Sequence, residues 1–320
     1  MKCKILPDKL FLFLRLSLLL LLPLLKTMVV CAQQDAMFSQ YMFNTLAVNP
    51  AYAGSRNVLS LTAMHRNQWV GMKGAPKTTT FSADMPTWNN KLGLGFIAFN
   101  DEIGVTKSTG FYGVYNYRIR FTGGGTLAIG LQGGVTNYKA NLAGVSLKDQ
   151  NDPAFANNIN SFLPTFGAGV FYSTDKFYAG FSAPNIIKSY LRKDVYLYSS
   201  ELIAQKFEHM FLMAGYVFDM GNDIKLKPSF LVKYVKGAPI QADINTQVWL
   251  KDVISVGGSF RTDKSGAILT EIQCTPQFRL GYSYDISNKS LAAYNRGSHE
   301  VMIRYEFGFE KGKVLSPRYF

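Results

Sequence analysis

The chain has 320 residues, a net charge of +13, 14% aromatic residues and only 17% charged ones, against roughly 25% charged in ordinary soluble domains. Of its three cysteines only Cys274 lies beyond residue 31, which excludes a disulfide framework or a cysteine-held cofactor in the rest of the chain. No apolar run after residue 32 reaches the roughly 18 residues of a membrane-spanning helix.

In chain order, the first element is a signal peptide over residues 1–32. Lys2, Lys4, Lys9 and Arg15 form its positive region, and Leu16 to Leu25 its apolar core. That core is about ten residues long, too short for a span of roughly 20. Cleavage after Ala32 makes Gln33 the mature N-terminus. Cys31 invites a lipoprotein reading, but Val30 precedes it where processing takes a small residue. Losing five positive residues and one negative leaves a mature chain of about +9. An exported chain of that charge meets anionic lipid surfaces or an acidic partner, and no nucleic acid. Export, many aromatics and few charges together describe an outer-membrane β-barrel.

Residues 33–56 precede the first strand. Phe38, Tyr41, Met42, Thr45 and Leu46 recur at helical spacing, which predicts a short amphipathic helix stopped by Asn49-Pro50 and followed by a turn at Gly54. Such a helix packs inside a larger body as a plug, or binds something at its periplasmic mouth.

Residues 57–310 alternate. Phe111, Tyr115, Tyr117, Ile119 and Phe121 share one face of a strand, with Tyr112, Val114, Asn116, Arg118 and Arg120 on the other. Leu127, Ile129, Leu131 and Val135 then oppose small and polar residues. Ile224, Leu226, Phe230, Val232 and Tyr234 interleave with Lys225, Lys227 and Lys233. Val301, Ile303, Tyr305 and Phe307 alternate with Arg304 and Glu306. Period-two segments of about ten residues between turn residues are the transmembrane-barrel pattern.

Fourteen strands are predicted, at 58–66, 77–85, 92–100, 107–121, 126–138, 164–173, 177–183, 207–218, 224–235, 240–250, 252–261, 266–274, 277–285 and 299–309. The fold class is thus all-β, a transmembrane antiparallel barrel with a short N-terminal plug helix. Residues 311–320 form a C-terminal periplasmic tail. With both termini periplasmic, the long connections 139–163, 184–206 and 286–298 are all odd-numbered and face outward, while the even-numbered turns are short. Trp69, Trp88 and Trp249, at strand ends or turns, suit interface girdles. Arg66, Arg118, Arg120, Lys233, Asp243, Arg304 and Glu306 fall on inward faces, where both signs of charge can cross-link the wall, hold a plug or line a polar pore.

No enzyme chemistry stands out. His65, His209 and His299 lie on or beside strands without a serine placed as a nucleophile. Asp149 to Pro153 cluster oxygen ligands without a calcium-loop pattern, so they read as a solvated turn. Gly93 to Gly95 lie mid-strand and resemble no phosphate loop. No metal or cofactor is expected.

"FSQYMFNTLAVNPAYAGS" at 38–55, followed by "HRNQWVGMKGAPKTTTFSADMP" at 65–86, resembles the start of the PorP/SprF family of the type IX secretion system. The likeness continues through "GLGFIAFNDEIG", "LKPSFLVKYVKGAPIQADIN", "FRLGYSYD", "GSHEVMIRYEF" and the terminal "SPRYF". Gln40, Tyr41, Asn44, Asn49, Pro50, Gly54, Arg66, Gln68, Trp69, Gly74 and Pro76 carry its opening motifs. The resemblance implies an outer-membrane component that assists secretion or surface anchoring of large proteins with a type IX C-terminal domain, in gliding relatives an adhesin. It also implies partners among the other secretion components at the periplasmic face, with those motif positions as candidates for the coupling. A second resemblance, to FadL-like channels for hydrophobic small molecules, rests on the strand number and on an Asn-Pro-Ala element at Asn49 to Ala51.

Overall fold

A computed structural model of the chain describes residues 38–87, 89–145, 152, 155–186, 190–192, 202–205, 208–235, 238–286 and 292–307. The signal peptide with its Ala32–Gln33 junction, Trp88, the tail 311–320, and most of the 149–153 turn lie outside the described residues.

Each predicted strand forms. They are β1 (Leu59–Asn67), β2 (Lys77–Pro86), β3 (Leu92–Ile103), β4 (Thr106–Arg120), β5 (Thr126–Ala140), β6 (Ile159–Ser173) and β7 (Phe177–Asn185). A small hairpin of β8 (Tyr190–Arg192) and β9 (Leu202–Gln205) follows, inside the stretch predicted as a plain loop. Then come β10 (His209–Tyr216), β11 (Phe218–Asp219), β12 (Ile224–Val235), β13 (Gln241–Leu250), β14 (Ile254–Arg261), β15 (Gly266–Gln273), β16 (Phe278–Ile286) and β17 (Ser298–Phe307). Apart from the hairpin, neighbours in sequence pair in antiparallel fashion. β1 pairs with β17 and β10 with both β7 and β12, which closes the sheet on itself. β10 and β11 are one wall strand interrupted at Val217, so the closed barrel has fourteen strands. β6 begins five residues before its predicted start because Ile159 to Leu163 continue the register with β5 up to Ala140.

Two environments explain the alternation. Tyr115, Leu131, Phe166, Ile244 and Phe260 are exposed on the outer face, as a surface bathed in acyl chains requires, and the strands pair their backbones with both neighbours around the closed sheet. The core lies inside the barrel. Met64, Ile97, Tyr112, Val114, Phe171, Met213, Leu269 and Met302 point inward and pack against Tyr41, Met42, Phe43, Leu46, Val48 and Tyr52 of the N-terminal segment.

That segment is not an amphipathic helix. It forms turns over 39–43 and two 3-10 helices, Thr45–Ala47 and Pro50–Tyr52, the second capped by the Asn49 side chain, which accepts from the Ala51 amide at 2.9 Å. A helix of the predicted kind presents one apolar stripe to one wall. Here the wall surrounds the chain, so Gln40, Asn44 and Thr45 are buried as deeply as Phe43 and Leu46.

The connections 87–91, 121–125, 174–176, 220–223, 251–253 and 274–277 share one end of the barrel and are all short. The long stretches 68–76, 141–158, 186–208 and 287–297 share the other. Strand antiparallelism makes this sorting obligatory once the count is right.

Candidate functional site: a plugged lumen

Segment 38–57 runs the length of the lumen. Its start meets residues near the end of β1, because the backbone amides of Ser39 and Gln40 donate to the Glu300 carboxylate at 3.0 and 2.9 Å. The Gln40 side chain donates again, to the Glu300 backbone carbonyl at 3.0 Å. Arg66 locks the cluster by donating to Glu300 at 2.9 Å, to Asp285 at 2.6 Å and to the Ser39 hydroxyl at 2.8 Å. Arg261 joins from β14, reaching Ser39 and ion-pairing with Asp285 at 3.3 Å and Asp243 at 3.4 Å.

The middle of the segment crosses the lumen by a series of single contacts. The Ser82 hydroxyl donates to the Asn44 side chain at 3.0 Å, and that of Ser182 to the Val48 carbonyl at 2.8 Å. Asn49 donates to the Val170 carbonyl of the wall at 3.0 Å. Asn116 on β4 donates to the carbonyls of Ala51 at 2.8 Å and Ala53 at 2.7 Å. Inward glycines make room for this backbone. A Cβ at Gly93 would overlap the Ala53 carbonyl, one at Gly130 the Ala51 backbone, and one at Gly169 the Asn49 side chain. Gly93 and Gly95 are therefore small because the plug touches them, a more specific reason than barrel strands in general supply.

A second clasp holds the far end. The Gly54 amide donates to Asp84 at 2.8 Å, while Arg118 donates to the Gly54 carbonyl at 2.7 Å and to Asn57 at 3.1 Å. Gly54 has φ +72° and sits against Pro86, so a side chain there is excluded twice. Arg56 then ion-pairs with Glu306 at 2.6 Å before the chain enters β1.

Of the residues marked in the sequence, Gln40, Tyr41, Asn44, Asn49, Pro50, Gly54 and Arg66 come together in this one construction. Gln68, Trp69, Gly74 and Pro76 do not. They form the β1–β2 loop, closed by the Gln68 amide on the Pro76 carbonyl at 2.9 Å and tied to the start of β17 through the Trp69 amide and the Ser298 hydroxyl at 3.2 Å. Arg118, Lys233, Asp243 and Arg304 are buried on the inner face, and Glu306 is mostly so. Arg120 has the inward parity but is exposed, because β4 ends there and the lumen with it.

Trp249 is a second correction. It is 1% exposed and faces the lumen beside Val217, with the Arg279 guanidinium 5.4 Å from its ring centre. Asp243, Asn245 and Gln247 precede it on the same inward face, and parity outweighs its position at a strand end. Arg56, Asp84, Asp285 and Glu300 also belong to the clasps and went unmarked in the sequence. The three on strands have inward parity, but nothing local shows that the plug reaches them.

The placement of the segment at the mouth where β1 begins also needs correcting. Gln40 lies at the level of Glu300 near the start of β17, whereas Phe307 pairs with Leu59 at the start of β1. The two ends of the described chain thus lie toward opposite ends of the barrel. The true termini are outside the described residues.

A closed antiparallel barrel with an apolar outer belt and an inner space filled by its own N-terminal segment is a β-barrel protein of the outer membrane. More particularly, the chain belongs to the PorP/SprF family of type IX secretion system membrane proteins, whose sequence profile matches residues 30–305. No curated protein matches it by sequence. Among solved structures it is similar to the Acinetobacter baumannii outer membrane protein Omp33, at 10% identity and TM-score 0.46 over 78% of this chain and 99% of that one. It is also similar to the CymD monoaromatic hydrocarbon channel, at 12% identity and TM-score 0.49 over 86% and 94%. The KdgM porin matches at 8% identity and TM-score 0.36 over 78% and 99%.

Proposed function

We propose that this barrel is a closed, non-enzymatic outer-membrane component that assists secretion or surface anchoring of large proteins bearing a type IX C-terminal domain. The observation behind this reading is the plug. A segment clasped at both ends by buried ion pairs and packed into the core suits a fixed scaffold better than a solute pore. The same filling weighs against a FadL-like channel, although Asn49-Pro50-Ala51 lies in the part of the plug nearest the wall glycines. The long connections face the cell exterior in this reading, and the short turns face the periplasmic secretion components.

Deleting residues 34–46 from the chromosomal copy tests the reading. The expected result is a heat-modifiable barrel still present in the outer membrane, with the client protein lost from the surface proteome. Unchanged display overturns the role given to the plug. Loss of the barrel itself would make the segment a folding element.

A further inference from the structure

The outer face of β2 to β6 carries a continuous cross-strand row at the end where the long connections lie. Lys77 stands opposite Glu102, Glu102 opposite Lys107, Lys107 opposite Lys139, and Lys139 opposite Asn160. The next outward row toward the barrel centre is polar and uncharged over Thr79, Asn100, Thr109 and Asn137. The row after that is apolar, with Phe81, Ala98, Phe111 and Val135.

This is an ordered passage from charge to hydrogen bonding to hydrocarbon. Between β4, β5 and β6 it opens into a groove of about 250 Å³, with Lys107 and Lys139 on one side and Phe111, Val135 and Phe162 on the other. Like charges set directly opposite each other on one face destabilise a sheet. Glu102 answers Lys107 at 2.6 Å, but among the described residues no carboxylate answers Lys139. Thr109 lines the groove between the two levels, and its hydroxyl already donates to the Asn100 side chain at 2.9 Å, so toward the groove it can only accept. The groove therefore asks for three things in vertical order: a negative charge, a hydrogen-bond donor just beneath it, and an acyl chain.

We infer that the groove binds one phosphorylated, acylated amino-sugar lipid of an outer leaflet. The phosphate lies between Lys107 and Lys139, a sugar hydroxyl or amide N–H donates to the Thr109 hydroxyl oxygen, and an acyl chain covers Phe111, Val135 and Phe162. A glycerophospholipid satisfies the lysines but presents only ester oxygens beneath its phosphate, and those are acceptors, as is the Thr109 hydroxyl once its proton is given to Asn100. The inference rests on the proposed orientation, which puts this end of the barrel outward. Binding in detergent does not depend on orientation, so the two fail separately.

Native mass spectrometry of the mature chain, with bisphosphorylated lipid A as the probe, tests it. One lipid per barrel is expected to survive activation, with weaker retention of enzymatically dephosphorylated lipid A and of dioleoyl phosphatidylglycerol. Excess inorganic phosphate is expected not to displace it. Lys107→Gln with Lys139→Gln should lower retention roughly thirtyfold, the scale of two lost lysine–headgroup attractions. Phe162→Ser should lower it as well, whereas Lys176→Gln, at the opposite end of the barrel, should not. Heat-modifiable migration confirms that each variant folds. Equal retention of the dephosphorylated lipid or of phosphatidylglycerol, displacement by free phosphate, or an unaffected double variant overturns the inference.

Discussion

Gln40 is bonded to Glu300 twice, through its backbone amide at 2.9 Å and its side-chain amide at 3.0 Å, across 260 residues of chain. These contacts set the start of the plug against the strand that closes the barrel. Because Glu300 is fully buried and also holds Arg66, the plug and the wall share one charge cluster.

Removing that carboxylate leaves Arg66 with Asp285 as its one carboxylate partner and strips two plug amides of their acceptor. Breaking a buried pair from one side costs about 3–5 kcal/mol. Glu300→Ala is expected to lower the temperature of the heat-modifiable gel shift. Arg66→Ala should act alike, and the double variant should cost less than the sum. Additive losses would show that the two groups do not share a cluster.

The inward glycines make a finer test of the plug. Gly130→Val places branched carbons where the Ala51 backbone runs. With overpacking costing about 1–3 kcal/mol, the plug should shift while the wall stays paired. Single-channel recordings in planar bilayers are expected to be silent for the native barrel and to show openings for Gly130→Val. A native barrel that conducts steadily would contradict a filled lumen.

Trp249 permits a spectroscopic check of which way its strand faces. In a Trp69→Phe, Trp88→Phe background its emission should resist quenching by brominated acyl chains, because the ring lies among Val217 and Arg279 inside the barrel. Strong quenching would return it to the lipid girdle.

Lipid exposure is graded along the wall. Leu131 is 59% exposed in the middle of β5, so Leu131→Lys should destabilise the barrel by roughly 2–4 kcal/mol. Ile119, one residue from the end of β4, should tolerate lysine at about 0–1 kcal/mol. Urea titration in lipid vesicles measures both, and equal costs would mean that the apolar belt is misplaced.

Orientation has a native probe in Cys274. It is exposed on the turn between β15 and β16, at the end where all the connections are short. An impermeant maleimide should leave it unmodified on intact cells and modify it after lysis. Asn157→Cys, in a Cys274→Ser background, should show the reverse preference.

Much of the wall was legible in the sequence, because a strand's side chains alternate with a period of two and each face here has one solvent. Outward positions face hydrocarbon, so Phe111, Ile129 and Ile303 announce themselves. Inward positions such as Asn116 and Arg304 follow by parity, and the strand count then forces the long connections to one end. Local spacing also marked Phe38 to Gly54 as a segment apart, but it could not supply the segment's conformation or path. Helical periodicity presumes one buried side, whereas a chain enclosed by a barrel is buried on every side, and turns with 3-10 helices present its polar groups to β2, β4, β6, β7 and β17 in turn. Only tertiary structure decided that Ser39 and Gln40 meet Glu300, that Gly54 sits between Asp84 and Arg118, and that Trp249 faces inward. Those contacts join residues far apart in sequence, and their free energy exists only once the sheet has closed around the plug.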